Sequence, residues 1–109
     1  MIKKFMVSVC ILLSAQAFSA TNTWHTSEVQ RVYPDSVGKV VIVFKNPSSQ
    51  CSNSANYHSI SLDNNGVTQD GLDKMFKTAL AAGMSGIPLS IYFDSSSTSC
   101  YINRMFMTF

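Results

Sequence analysis

Leu72-Asp73-Lys74-Met75-Phe76-Lys77-Thr78-Ala79-Leu80-Ala81-Ala82-Gly83 is the segment on which the fold turns. Leu72, Met75, Phe76, Ala79, Leu80 and Gly83 recur with the 3.6-residue period of a helix, while Asp73, Lys74, Lys77 and Thr78 take the other face. The spacing predicts one amphipathic helix. Thr68 or Asp70 can cap its start, and Gly83 or Gly86 can end it ahead of Pro88.

Working outward, everything on either side reads with period two. Downstream, Ile87 to Phe93 alternates with Leu89, Ile91 and Phe93 on one face and Ser90 and Tyr92 on the other. A polar turn from Asp94 to Ser99 separates it from a last strand, Tyr101 to Phe109. Upstream, Tyr57 to Leu62 places His58, Ile60 and Leu62 on one face and Tyr57, Ser59 and Ser61 on the other. Asp63-Asn64-Asn65-Gly66 closes it. Lys39 to Lys45 is almost continuously β-branched, the strongest strand signal in the chain. Trp24 to Tyr33 reads as the first strand, stopped by Pro34-Asp35-Ser36. Pro47 to Asn56 is a Ser/Asn-rich loop carrying Cys51.

The order is therefore β-β-β-α-β-β. This mainly β, α+β string is that of a small OB-fold, a five-stranded barrel with a helix closing one end. A helix packed on one face of an antiparallel sheet gives the same string.

The first twenty residues belong to a different physical object. Met1-Ile2-Lys3-Lys4 supplies positive charge, and Phe5 to Leu13 is apolar but far short of the roughly 20 residues that span a bilayer. Small residues follow. This is the layout of a secretory signal peptide over 1–20, with cleavage after Ala17, Ser19 or Ala20, leaving a single domain over 21–109. The expected destination is the periplasm or the cell exterior, with no membrane insertion once the signal is removed.

Removing that segment changes two numbers. Of the eight Lys and Arg residues, Lys3 and Lys4 go, leaving six against six Asp and Glu. A near-neutral domain lacks the basic stripe that displaces counterions from phosphates, so a nucleic-acid partner is not expected. Of the three cysteines, Cys10 goes. Cys51 and Cys100 remain, in a chain bound for an oxidising compartment, and are expected to form a disulfide. Neither has a second Cys or His at ligand spacing along the chain, so no metal is expected, and no cofactor motif is present.

Catalysis has no sequence support. No nucleophile elbow or cysteine-protease signature occurs, His25 reads as an exposed residue near the mature N-terminus, and His58 falls on the apolar side of its strand. An enzyme is not expected. Binding has more to offer, because Trp24, Tyr33, Tyr57, Tyr92 and Tyr101 each combine an aromatic face with a polar tip, which suits a sugar ring. Trp24, Tyr57 and Tyr92 are the candidate ligand contacts. Covering a barrel edge is the alternative for each. Met75, Met84, Met105 and Met107 read as flexible core filler.

The signal peptide, five strands, helix after the third strand and single disulfide together resemble the B subunits of pentameric bacterial toxins. Gly71 to Gly83 leading into Ile87 to Phe93 looks most like the helix and following strand of the subtilase-cytotoxin B subunit. The layout is also similar to that of small uncharacterised exported proteins of Gram-negative bacteria. The resemblance implies a non-enzymatic module that forms a homo-oligomeric ring, a pentamer, and takes a glycan or protein ligand. No glycan-contacting residue of that family has a matching motif here. A monomeric periplasmic protein with a structural or accessory role is the alternative.

Overall fold

The computed structural model describes residues 21–53 and 55–109. The signal peptide expected over 1–20 lies outside the described residues. Six strands and one helix form: β1 (Asn22–Ser27), β2 (Val29–Pro34), β3 (Val40–Phe44), β4 (Tyr57–Ile60), α1 (Gln69–Ser85), β5 (Leu89–Asp94) and β6 (Ile102–Met107). They make two three-stranded antiparallel sheets, ordered β1-β5-β6 and β2-β3-β4.

The expected first strand is two strands. The chain leaves one sheet and enters the other at Glu28, which is exposed between the buried Ser27 and Val29; the alternation runs through this point and breaks only beyond it, where the register shifts between Val29 and Arg31. Two hydrogen bonds fix this crossing: Ser27 Oγ accepts from the Asn46 backbone N–H at 3.1 Å, and the Glu28 carbonyl accepts from the Lys45 N–H at 3.0 Å. The expected closed five-stranded barrel is corrected accordingly. On the opposite side β4 and β6 meet through a single parallel bridge, Ser59 to Tyr101, rather than a ladder, so the sheets face each other without closing.

The core lies between the sheets and is capped by α1. Ile42, Phe44, Ile60, Leu89, Ile91, Phe93 and Ile102 are fully buried there. Burying side chains of this size contributes roughly 1.5–3 kcal/mol each. The β-branched run forms β3 as expected, and Val40, Val41, Ile42 and Phe44 are all buried, so both faces of the strand are covered. Tyr57–Ile60 departs from simple alternation. Ser59 is buried as well as His58 and Ile60, because its side faces the seam with β6, while Leu62 is exposed where the chain turns, Asp63 N–H bonding to the Val67 carbonyl at 2.9 Å.

Helix α1 begins at Thr68, whose Oγ1 accepts from the Gly71 N–H at 3.1 Å, a cap that satisfies one of the unpaired amides of the first turn. It ends at Gly86, which takes the left-handed conformation (φ 74°) and donates its N–H to the Ala82 carbonyl. The buried stripe is Leu72, Met75, Ala79 and Ala82, with Phe76 packed beside it. Leu80 and Gly83, expected on that stripe, rotate outward toward β2. The small side chains of Ala79 and Ala82 bring the helix backbone close to the sheets.

Cys51 and Cys100 form the expected disulfide, with Cα atoms 5.8 Å apart. It ties the loop before β4 to the turn before β6. Asn53 brackets it: its Nδ2 donates to the Tyr57 carbonyl at 2.7 Å and the Thr98 carbonyl at 3.1 Å, and its Oδ1 accepts from the Tyr57 N–H. Among the described residues no helix is long and apolar enough to cross a membrane.

Candidate functional site

Register in the β1-β5-β6 sheet decides what its outer face presents. Trp24 pairs with Tyr92, Tyr92 with Arg104, Thr26 with Ser90, and Ser90 with Phe106. Side chains alternate across a strand, so these six residues share the face opposite His25, Ile91 and Phe93. Trp24 and Tyr92 pack at a centroid separation of 4.7 Å and an interplanar angle of 35°; Trp24 and Phe106 pack at 5.4 Å and 58°. The Arg104 guanidinium carbon lies 5.4 Å from the Tyr92 ring centroid. Thr26 Oγ1 and Ser90 Oγ share a hydrogen bond of 2.7 Å at one end of the cluster.

This face is built and left open. Trp24 is 49 % exposed and Phe106 47 % exposed, although a sheet could bury either ring inside. Mutual packing holds the rings upright and removes rotamer freedom before any ligand arrives, which lowers the entropic cost of contact. Arg104 donates Nε–H to Asn103 Oδ1 at 2.9 Å, and no carboxylate pairs with it among the described residues. An apolar ring surface beside a guanidinium without a carboxylate partner and the exposed Thr26 hydroxyl, which the buried Ser90 holds in place, matches a ligand with one apolar face and polar edges.

Of the sequence candidates, the structure brings Trp24 and Tyr92 into contact. Tyr57 lies in the other sheet, opposite Val43 and half-buried. Arg104 and Phe106 escaped the sequence reading. Their signal was the alternation within Tyr101 to Phe109, which sets both on one face.

A second surface feature is an open groove of about 190 Å³ between β2 and the C-terminal half of α1. Val29, Val32, Leu80 and Met84 line it together with Gln30, Arg31 and Gly83, so apolar and polar groups share the lining.

Both histidines sit away from these surfaces. His58 is 1 % exposed, edge-on to Phe93 at 4.5 Å and to Phe44 at 5.4 Å. Burial, with His25 adding to it, pushes its pKa down to about 4; the Cys100 backbone opposes this only in part. His25, expected to be exposed near the mature N-terminus, is half-buried within β1, its Nε2 2.6 Å from the Asn46 carbonyl. Pairing of β1 with β5 draws it inward.

The overall fold is matched in solved structures. A cholera toxin-like B subunit from Citrobacter freundii superposes with a TM-score of 0.59 at 15 % identity, over 95 % of this chain and all of that one. The fold is that of the toxin B subunits. Human heat-labile enterotoxin, solved in complex with a blood group A antigen analog, gives a TM-score of 0.61 at 12 % identity, over 96 % of this chain and all of that one. The ECX AB5 holotoxin in its GM1-bound form gives 0.60 at 14 % identity, over 80 % and 84 %. No family model and no curated protein sequence matches the chain. The chain shares the architecture of these B subunits at 12–15 % sequence identity.

Proposed function

We propose that this protein is an exported, non-enzymatic glycan-binding module that works as an assembly of copies. The observation that carries the reading is the exposed cluster of Trp24, Tyr92 and Phe106 with Arg104 beside it. Two further facts support it: one protein of the same fold was solved with a blood group antigen analog and another, an AB5 holotoxin, with GM1.

The chemistry is that of stacking. A pyranose ring presents a patch of C–H bonds that lies flat on an indole face, shedding water from both. Arg104 and the Thr26 hydroxyl then hold hydroxyl or acidic substituents at the ring edge. Hydrogen bonds to charged donors contribute roughly 1.5–3 kcal/mol each, so a single sugar binds weakly. Several copies in one assembly would raise the avidity by presenting the same face repeatedly.

A glycan array probed with the purified protein, alongside its mass in solution by light scattering, tests the reading. Retention on defined glycans by an oligomer is expected, with Trp24→Ala losing it. A monomer retained on no glycan would overturn the proposal and favour an accessory role.

A further inference from the structure

One cluster plays no part in glycan binding. Cys51, His58 and Cys100 each place a potential ligand atom within 4.8 Å of the other two. Six residues separate Cys51 from His58, but Cys100 reaches them only through the fold, which is why spacing along the chain does not reveal the group. All three are buried, and His58 Nδ1 has no hydrogen-bond partner among the described residues. Leaving such an atom unpaired in a core costs about 1–3 kcal/mol.

The backbone at this point is also committed. Cys100 holds φ at 48°, a left-handed conformation that costs a non-glycine residue about 1–2 kcal/mol. The Cα atoms of the cysteines stand 5.8 Å apart. Ligand atoms around a tetrahedral zinc ion, at about 2.3 Å for sulfur and 2.0–2.1 Å for nitrogen, lie roughly 3.5–3.8 Å from one another. Reaching this spacing requires the two bonded sulfurs to part once the disulfide is reduced and the imidazole to close toward them, from atoms that already lie within 4.8 Å of one another. No charged side chain packs against the three residues in a described contact; their neighbours are Phe44, Phe93, His25 and the Asn53 amide.

We infer that reduction of the Cys51–Cys100 disulfide converts this cluster into a Cys2His site for Zn²⁺. A dithiol reductant transfers two electrons and two protons to the disulfide, leaving two thiols and a cyclic disulfide of its own. Zn²⁺ then displaces both thiol protons to solvent and takes two thiolates and the neutral imidazole, so the buried site carries no net charge. Water completes the tetrahedron. The ion replaces the disulfide as the link between the loop before β4 and the turn before β6, and it satisfies the orphaned imidazole.

The test uses protein carrying Cys10→Ser, reduced with a dithiol that is then removed under nitrogen. Titration with Co²⁺ is expected to give the visible bands of tetrahedral thiolate coordination at one ion per chain, bleached by Zn²⁺. On ¹⁵N-labelled reduced protein, Zn²⁺ is expected to shift the His58 ring nitrogens, a readout that needs no His58 variant. His58→Gln should weaken Zn²⁺ binding by tenfold or more, and Cys51→Ser/Cys100→Ser should abolish it. If reduction unfolds the chain, Zn²⁺ is expected to restore its circular dichroism. Absence of the cobalt bands, unshifted His58 nitrogens, or a reduced unfolded chain that Zn²⁺ does not refold would each overturn the inference. Glycan retention by the oxidised protein stands or falls separately.

Discussion

His25 and His58 lie face to face, their rings 14° from parallel with centroids 6.2 Å apart, one half-buried and the other sealed in the core. Strand β1 supplies the first and β4 the second, so this stack reaches from one sheet to the other. A proton on the buried ring would have to sit beside Phe44 and Phe93.

In the oxidised protein this makes stability depend on pH with a definite sign. The folded pKa of His58 is about 4, against 6.5 for an unperturbed histidine. The unfolded chain therefore binds the proton first as pH falls. The stabilisation is fully present above pH 6.5 and is lost progressively down to about pH 4, a total of roughly 3 kcal/mol. Urea melts across that range should show the loss, and His58→Leu should flatten the His58 part of it while leaving the carboxylate part.

Removing the disulfide should cost stability without rewriting the fold. Cys51 and Cys100 are 49 residues apart in sequence. Cys51→Ala/Cys100→Ala is expected to lower the unfolding free energy by about 2–4 kcal/mol. Thermal melts of the variant and the oxidised parent at neutral pH check the size.

Trp24→Ala separates binding from folding. Half of the indole is already in water, so the melting temperature should move little. Affinity for any retained glycan should fall by about 2 kcal/mol, roughly thirtyfold. Arg104→Gln should weaken acidic glycans more than neutral ones, which a paired titration would show.

Thr68→Ala removes the side-chain acceptor at the start of α1, and Gly86→Ala forces a Cβ into the left-handed conformation at its end. Each is expected to destabilise by about 1 kcal/mol. Chemical denaturation of the two single variants measures both.

How much of this could be read from residues alone follows from how local each signal is. Thr68 and Gly86 act on their own helix, and the β-branched run from Val40 to Phe44 favours extended backbone whatever it pairs with, so both elements were legible. The split at Glu28 was not, because Trp24 to Tyr33 is β-favouring throughout and the two halves differ only in partners far along the chain, β5 for one and β3 for the other. The rotation of Leu80 out of the core follows from where β2 lies. Arg104 and Phe106 were within reach of the alternation rule, but that they flank Trp24 depends on register across three strands. The proximity of His58 to the disulfide depends on Cys100, which only the completed fold delivers.

The crossing at Glu28 also sets an order in time. β2, β3 and β4 lie next to one another in sequence and can pair as soon as residues 29–60 exist. β1, made before any of them, has its partner at residues 89–94. A chain synthesised from its N-terminus must therefore carry Trp24 and His25 as an unpaired strand until nearly all of the domain has followed, and such long-range pairing is slow. The strand that bears the exposed tryptophan is the first to be made and among the last to find its place.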